Sequence, residues 1–164
     1  MSAVEFLSPS ACTTEALVSP LARALAGAPD ELRDLSLDGK VEIRGDLSVV
    51  EADAGEELVR LSPRRGLLLV DGDPLDAIER LRAGGLRAYD MTGALAGLEL
   101  QREQLLRRLT DLDLSALPAA GGFARIGAIV LRDEGERFRV YFPQELGHYV
   151  AEVVLDALAG LENR

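Results

Sequence analysis

Few side chains in this sequence could do chemistry near neutral pH. His148 is the single histidine, and an imidazole is the one unperturbed side chain that changes charge between about pH 5 and 8. It stands beside Tyr149 in a helical pattern, next to the apolar face, with no serine, cysteine or acidic residue patterned with it. A general base needs such a partner to activate a nucleophile, so His148 reads as a surface or half-buried helix residue. Lys40 is the single lysine, in a polar Asp-Gly-Lys turn, and the sole candidate for amine-based covalent catalysis. Cys12 is the single cysteine, so neither an internal disulfide nor a cysteine-based metal site can form.

Carboxylates and glycines add little. Asp111 and Asp113, two apart in an extended segment, point to one side. Two carboxylates are too few for a calcium or magnesium cage, and helix termination and loop capping are expected of them. Asp90 and Thr92 fall at a strand end and turn, where both side chains can bind backbone N–H groups. Gly93, Gly97 and Gly121-Gly122 make neither G-x-G-x-x-G nor a Gly-Lys-Ser/Thr phosphate loop. Arg64-Arg65 and Arg107-Arg108 could grip an anion or an acidic partner, with solvated arginines as the default. No catalytic, cofactor-binding or metal-binding set is expected in this chain; Asp90, Thr92, Asp111 and Asp113 are read as structural.

The elements that position these residues follow from periodicity and turn chemistry. Residues 1–18 are small, polar and unpatterned, and read as a flexible arm. Ser19-Pro20 starts a short helix that Gly27 and Pro29 end. Residues 35–43 read as a hairpin around Asp38-Gly39. Residues 47–50 and 57–61 read as short strands. Gly66 to Val70 is an apolar run, so a strand buried on both faces. Asp73-Pro74 opens a helix with Leu75, Ile78 and Leu81 as its stripe, and Gly84-Gly85 closes it. The strand 86–91 completes a β-α-β unit. An alternating strand 95–100 and a leucine helix follow, then strands 123–131 and 138–142. Pro143 opens a last helix whose face is Leu146, Tyr149, Val150, Val153, Ala157 and Leu158. From Leu67 the order is β-α-β-β-α-β-β-α, which predicts an α+β fold: a mixed or antiparallel sheet with helices packed on it.

Size and charge bound the function. A chain of 164 residues suits one domain over 19–164 with a short arm. Its formal net charge of -10 repels phosphate backbones, which argues against nucleic acid. The opening residues lack a basic start and a continuous apolar run, and no stretch approaches a membrane span. The cytoplasm is the expected compartment.

The stretch from Tyr89 to Pro118 is the most distinctive. It joins a strand ending in Asp90-Met91-Thr92, a glycine-containing turn, the alternating strand Leu95 to Leu100, a leucine helix and Asp111-Leu112-Asp113-Leu114. That order resembles the folate-binding fold of the aminomethyltransferase (glycine-cleavage T-protein) superfamily, and within it the gamma subunit of heterotetrameric sarcosine oxidase. Ser19-Pro20-Leu21, Val41-Glu42-Ile43-Arg44-Gly45, and Phe138 to Tyr149 are similar to other parts of that subunit. Leu61 to Leu69 departs: the family's tryptophan is absent and Arg65-Gly66 replaces its acidic pair. The acidic residue that orients folate in true aminomethyltransferases is also missing, since Gly127 to Arg132 holds no carboxylate and Asp133 lies on the hairpin tip.

The resemblance therefore implies the fold without its best-known chemistry. It implies a non-catalytic gamma-like subunit of a bacterial sarcosine or related N-methyl amine oxidase, acting in sarcosine catabolism and one-carbon metabolism. The large flavoprotein subunits would be its partners and would carry FAD, FMN, NAD and tetrahydrofolate; this chain would hold no cofactor. Two other readings stay open: a stand-alone folate-binding or one-carbon-transfer protein of the same superfamily, and a small self-associating interaction protein.

Overall fold

A computed structural model describes residues 18–162. The arm expected over residues 1–18, apart from Val18, lies outside the described residues, as does Cys12. In chain order the elements are β1 (Leu32–Asp34), β2 (Gly39–Arg44), β3 (Glu56–Ser62), β4 (Arg65–Val70), α1 (Leu75–Ala83), β5 (Arg87–Asp90) and β6 (Leu95–Gln101). They continue with α2 (Glu103–Leu109), β7 (Ala119–Phe123), β8 (Ile126–Arg132), β9 (Arg137–Pro143) and α3 (Gly147–Glu162). The fold is α+β, with two antiparallel sheets where the sequence suggested one. One sheet has five strands in the order β1-β6-β9-β8-β7; the other has four, β3-β4-β2-β5.

The molecule is layered helix, sheet, sheet, helix. On the four-stranded sheet, Val41, Ile43, Leu68 and Ala88 pack against Ala77, Ile78 and Leu81 of α1. On the five-stranded sheet, Leu98, Leu100, Val130, Phe138, Val140 and Phe142 pack against Leu105 and Leu106 of α2 and Val150, Val154 and Leu158 of α3. The inner faces meet through Val59, Leu67 and Leu69 from one sheet and Leu131 and Tyr141 from the other. Alternation along a strand sends Leu68 one way and Leu67 and Leu69 the other. This is why the run 66–70 is apolar throughout, and β4 is buried on both faces as expected. β4 and β5 are both antiparallel to β2, which lies between them, so the β-α-β unit is split by a strand from earlier in the chain.

Several sequence expectations give way. The hairpin at Asp38-Gly39 does not form: β1 pairs with β6, and β2 pairs with β4 and β5. The chain instead crosses from one sheet to the other here, with Leu35 N–H on Gly97 O at 2.9 Å. Ser19 does accept a hydrogen bond from Leu21 N at 3.0 Å, but residues 20–27 make turns rather than a helix, ending at Gly27 with φ +81°. Residues 47–49 form a 3-10 turn rather than a strand, capped by Asp46 on Ser48 N at 2.9 Å. Leu75 is exposed, and Ala77 joins the α1 stripe in its place. The strand expected over 123–131 is a hairpin of β7 and β8, turning at Ala124-Arg125, so the sheet has an extra strand. Gly121-Gly122 lie within β7. Pro143 ends β9, and a 3-10 turn at 144–146 precedes α3. The buried face of α3 is Gly147, Val150, Ala151, Val154 and Leu158. Tyr149 is turned to the surface, while Gly147 faces the turn at Pro20-Leu21.

Candidate functional site

Three of the singled-out residues meet at the crossover between the sheets. The Asp90 carboxylate accepts from Thr92 N at 2.8 Å, and Thr92 Oγ1 accepts from Lys40 N at 3.1 Å. Met91 N in turn donates to Lys40 O at 2.8 Å. The sequence places Lys40 in an exposed turn; the structure buries it completely. Its position on β2, opposite Leu69, puts the side chain on the inter-sheet face. There its Nζ donates to Ser36 O at 3.0 Å and to Asp38 O. The ammonium thus ties down the segment that joins the two sheets. Burial pushes its pKa down to about 8, against the pull of Asp38, Asp90 and Asp34.

A second polar group spans the sheets farther along. Arg139 of β9 pairs with Asp133 at 2.6 Å and with Glu57 of β3 at 2.7 Å. Burial works against its charge, and the two carboxylates outweigh burial and push the guanidinium pKa up. Glu42, buried on β2, is reached by Arg44 at 2.5 Å and Arg65 at 3.3 Å. Burial tends to raise its pKa, but hydrogen bonds from both arginines hold it below the usual carboxylate range. Tyr141 is 3% exposed, and burial pushes its phenol up to about 12. It stands opposite Gly97 on β6. A Cβ there would lie 2.9 Å from the Tyr141 ring, so glycine makes room for the tyrosine.

Tyr141 divides the space between the sheets. On one side is a polar cleft of about 450 Å³ lined by Asp38, Glu57, Asp71, Glu99, Arg33 and Arg139. On the other is an apolar cleft of about 490 Å³ lined by Leu61, Leu95, Ile129, Phe142 and Pro143. A third cavity, of about 570 Å³, lies outside the sheets between the end of α2, the Ala124-Arg125 turn and α3.

The remaining candidates stay apart. Asp113 accepts from Ser115 N at 2.9 Å and Ser115 Oγ at 2.7 Å, capping a 3-10 turn; these bonds hold its pKa down. Asp111 sits on the rim of the third cavity. His148 is exposed on α3, and against the sequence reading it has an acidic neighbour one turn on, with Nε2 3.2 Å from Glu152. Arg107 pairs with Glu103 at 2.7 Å. Among the described residues no group of three or more histidine, cysteine or acidic residues could hold a metal ion. No helix among them is long and apolar enough to cross a membrane. Sequence reasoning missed Tyr141, Arg139 and the burial of Lys40; the one available signal was a lone lysine in a chain whose other basic residues are all arginine.

No family model matches this chain, and no curated protein matches it. Among solved structures, a chain of the heterotetrameric sarcosine oxidase from Corynebacterium sp. U-96, in complex with pyrrole 2-carboxylate, is similar with a TM-score of 0.74. The likeness covers 89% of this chain and 96% of that one at 16% sequence identity. At that identity the shared property is architecture: this chain has the α+β fold of a chain of heterotetrameric sarcosine oxidase.

Proposed function

We propose that this chain is a non-catalytic, gamma-like subunit of a heterotetrameric sarcosine oxidase or related N-methyl amine oxidase. One observation carries the reading: the fold likeness spans nearly the whole of both chains. The neighbour is thus a chain of comparable length. Its partners here would be the large flavoprotein subunits, and FAD, FMN, NAD and tetrahydrofolate would belong to them. The polar residues described above support this role through what they bind. Lys40, Thr92 and Asp90 hold backbone, and Arg139 and Glu42 hold ion pairs, which suits a chain whose task is to keep a shape.

The test is to tag this chain, co-express it with candidate large flavoprotein subunits of a heterotetrameric sarcosine oxidase, and purify it. Equimolar large subunits with flavin absorbance are expected. If it elutes alone, with no flavoprotein retained, the reading fails. Saturable tetrahydrofolate binding by the isolated chain in calorimetry would replace it with a folate-binding protein.

A further inference from the structure

The cavity outside the sheets is built by three elements distant in sequence. The end of α2 supplies Arg108 and Leu109, the turn between β7 and β8 supplies Ala124 and Arg125, and α3 supplies Val153 and Ala157. Its volume of about 570 Å³ falls in the range of small-molecule sites, roughly 300–1,000 Å³. Leu109, Ala124, Val153 and Ala157 give it an apolar floor, and two guanidinium groups stand at its wall.

The cations are available. Arg125 makes no hydrogen bond or ion pair among the described residues. Arg108 has one weak partner, Ala157 O at 3.4 Å. The turn that carries Arg125 is unusual: Ala124 and Arg125 have φ of +48° and +65°, a region where side chains other than glycine and asparagine cost energy. It is held in that shape from both sides. Ala124 N donates to Leu109 O at 2.7 Å, and Tyr149 OH donates to Ala124 O at 2.9 Å. The strained turn therefore fixes Arg125 at the mouth of the cavity against α2 and α3. Asp111, also on the rim, is the one acidic residue among the described residues that line the cavity.

We propose that this cavity binds a small organic anion, a carboxylate or phosphate head held between Arg108 and Arg125 with an apolar body on Leu109, Ala124, Val153 and Ala157. Guanidinium groups suit such heads because their N–H groups bind two oxygens at once. This site is independent of the subunit role above and needs no partner chain.

The test is amide NMR of the full chain titrated with butyrate, with inorganic phosphate and with butylammonium. Butyrate is expected to shift Gly122, Ala124 and Arg125 saturably, and butylammonium to leave them unmoved. Arg125→Gly removes the guanidinium while keeping a residue that accepts the turn's φ. It should weaken anion binding by about tenfold or more, as loss of a charged hydrogen bond does. Arg108→Gln should weaken it in the same direction, and Asp111→Asn should tighten it. Stronger binding of phosphate than butyrate, still dependent on Arg125, would assign the head to a phosphate. Failure of both anions to saturate, indifference to Arg125→Gly, or tighter binding of butylammonium would overturn the proposal.

Discussion

Lys40 shows how much one buried charge can reveal. Its pKa falls from 10.5 to about 8, so between those values the unfolded chain holds a proton that the native chain has released. Stability from this group is therefore gained as pH rises from about 8 to 10.5. Tyr141 acts in the opposite sense. Its pKa rises from 10.0 to about 12, so its contribution is present below pH 10 and lost as pH rises towards 12. Urea midpoints measured against pH should therefore climb above pH 8 and fall above pH 10, and Lys40→Met should remove the climb. A midpoint that falls steadily from pH 8 would contradict the burial of Lys40. Gly97 is the other informative residue. In Gly97→Ala the new Cβ meets Tyr141 at 2.9 Å and Leu35 at 3.0 Å. The Leu35 contacts include the backbone oxygen, which cannot swing away, so a loss of about 1–3 kcal/mol is expected in urea unfolding.

At the scale of elements, regular hydrophobic patterns were readable and special turns were not. β4, α1 and β6 sit close to where periodicity puts them because each buries a face fixed by the sequence's own alternation. The β7–β8 hairpin was invisible because its turn is Ala124-Arg125, without the glycine or asparagine that a turn with positive φ at both centres normally carries. The tertiary bonds from Leu109 O and Tyr149 OH stand in for turn chemistry. Arg125→Gly should relax that strain and raise stability by about 1 kcal/mol, read as a higher midpoint in chemical unfolding. Unchanged or lowered stability would mean that the turn is not strained. Asp38-Gly39 is the converse case: it carries a strong hairpin signal, yet the chain crosses between the sheets there, with Lys40 Nζ donating to Ser36 O and Asp38 O.

At the scale of the molecule, two sheets share one inner core. Val59, Leu67, Leu69, Leu131 and Tyr141 close it, with Arg139 and Glu57 bridging the same sheets at its edge. If the sheets unfold as one unit, far-UV and near-UV circular dichroism should follow a single transition. Leu67→Ala, at a site 2% exposed, should lower it by about 2–5 kcal/mol without splitting it. Two separated transitions would show that each sheet, with its own helices, is an independent unit.

The α+β class, the buried strand at Leu67 to Leu69, the helix stop at Gly84-Gly85, and the resemblance that the fold likeness supports are all legible in the residues alone. These depend on interactions within a few residues, on alternation along a strand and on the conformational freedom of glycine. Two sheets, a buried Lys40, and a cavity shared by Arg108 and Arg125 come from long-range packing. Each of those depends on which distant segment arrives at a given face: β6 beside β1, Thr92 on Lys40, α3 against the Ala124-Arg125 turn. Local sequence fixes which groups need a partner, and long-range packing chooses the partner.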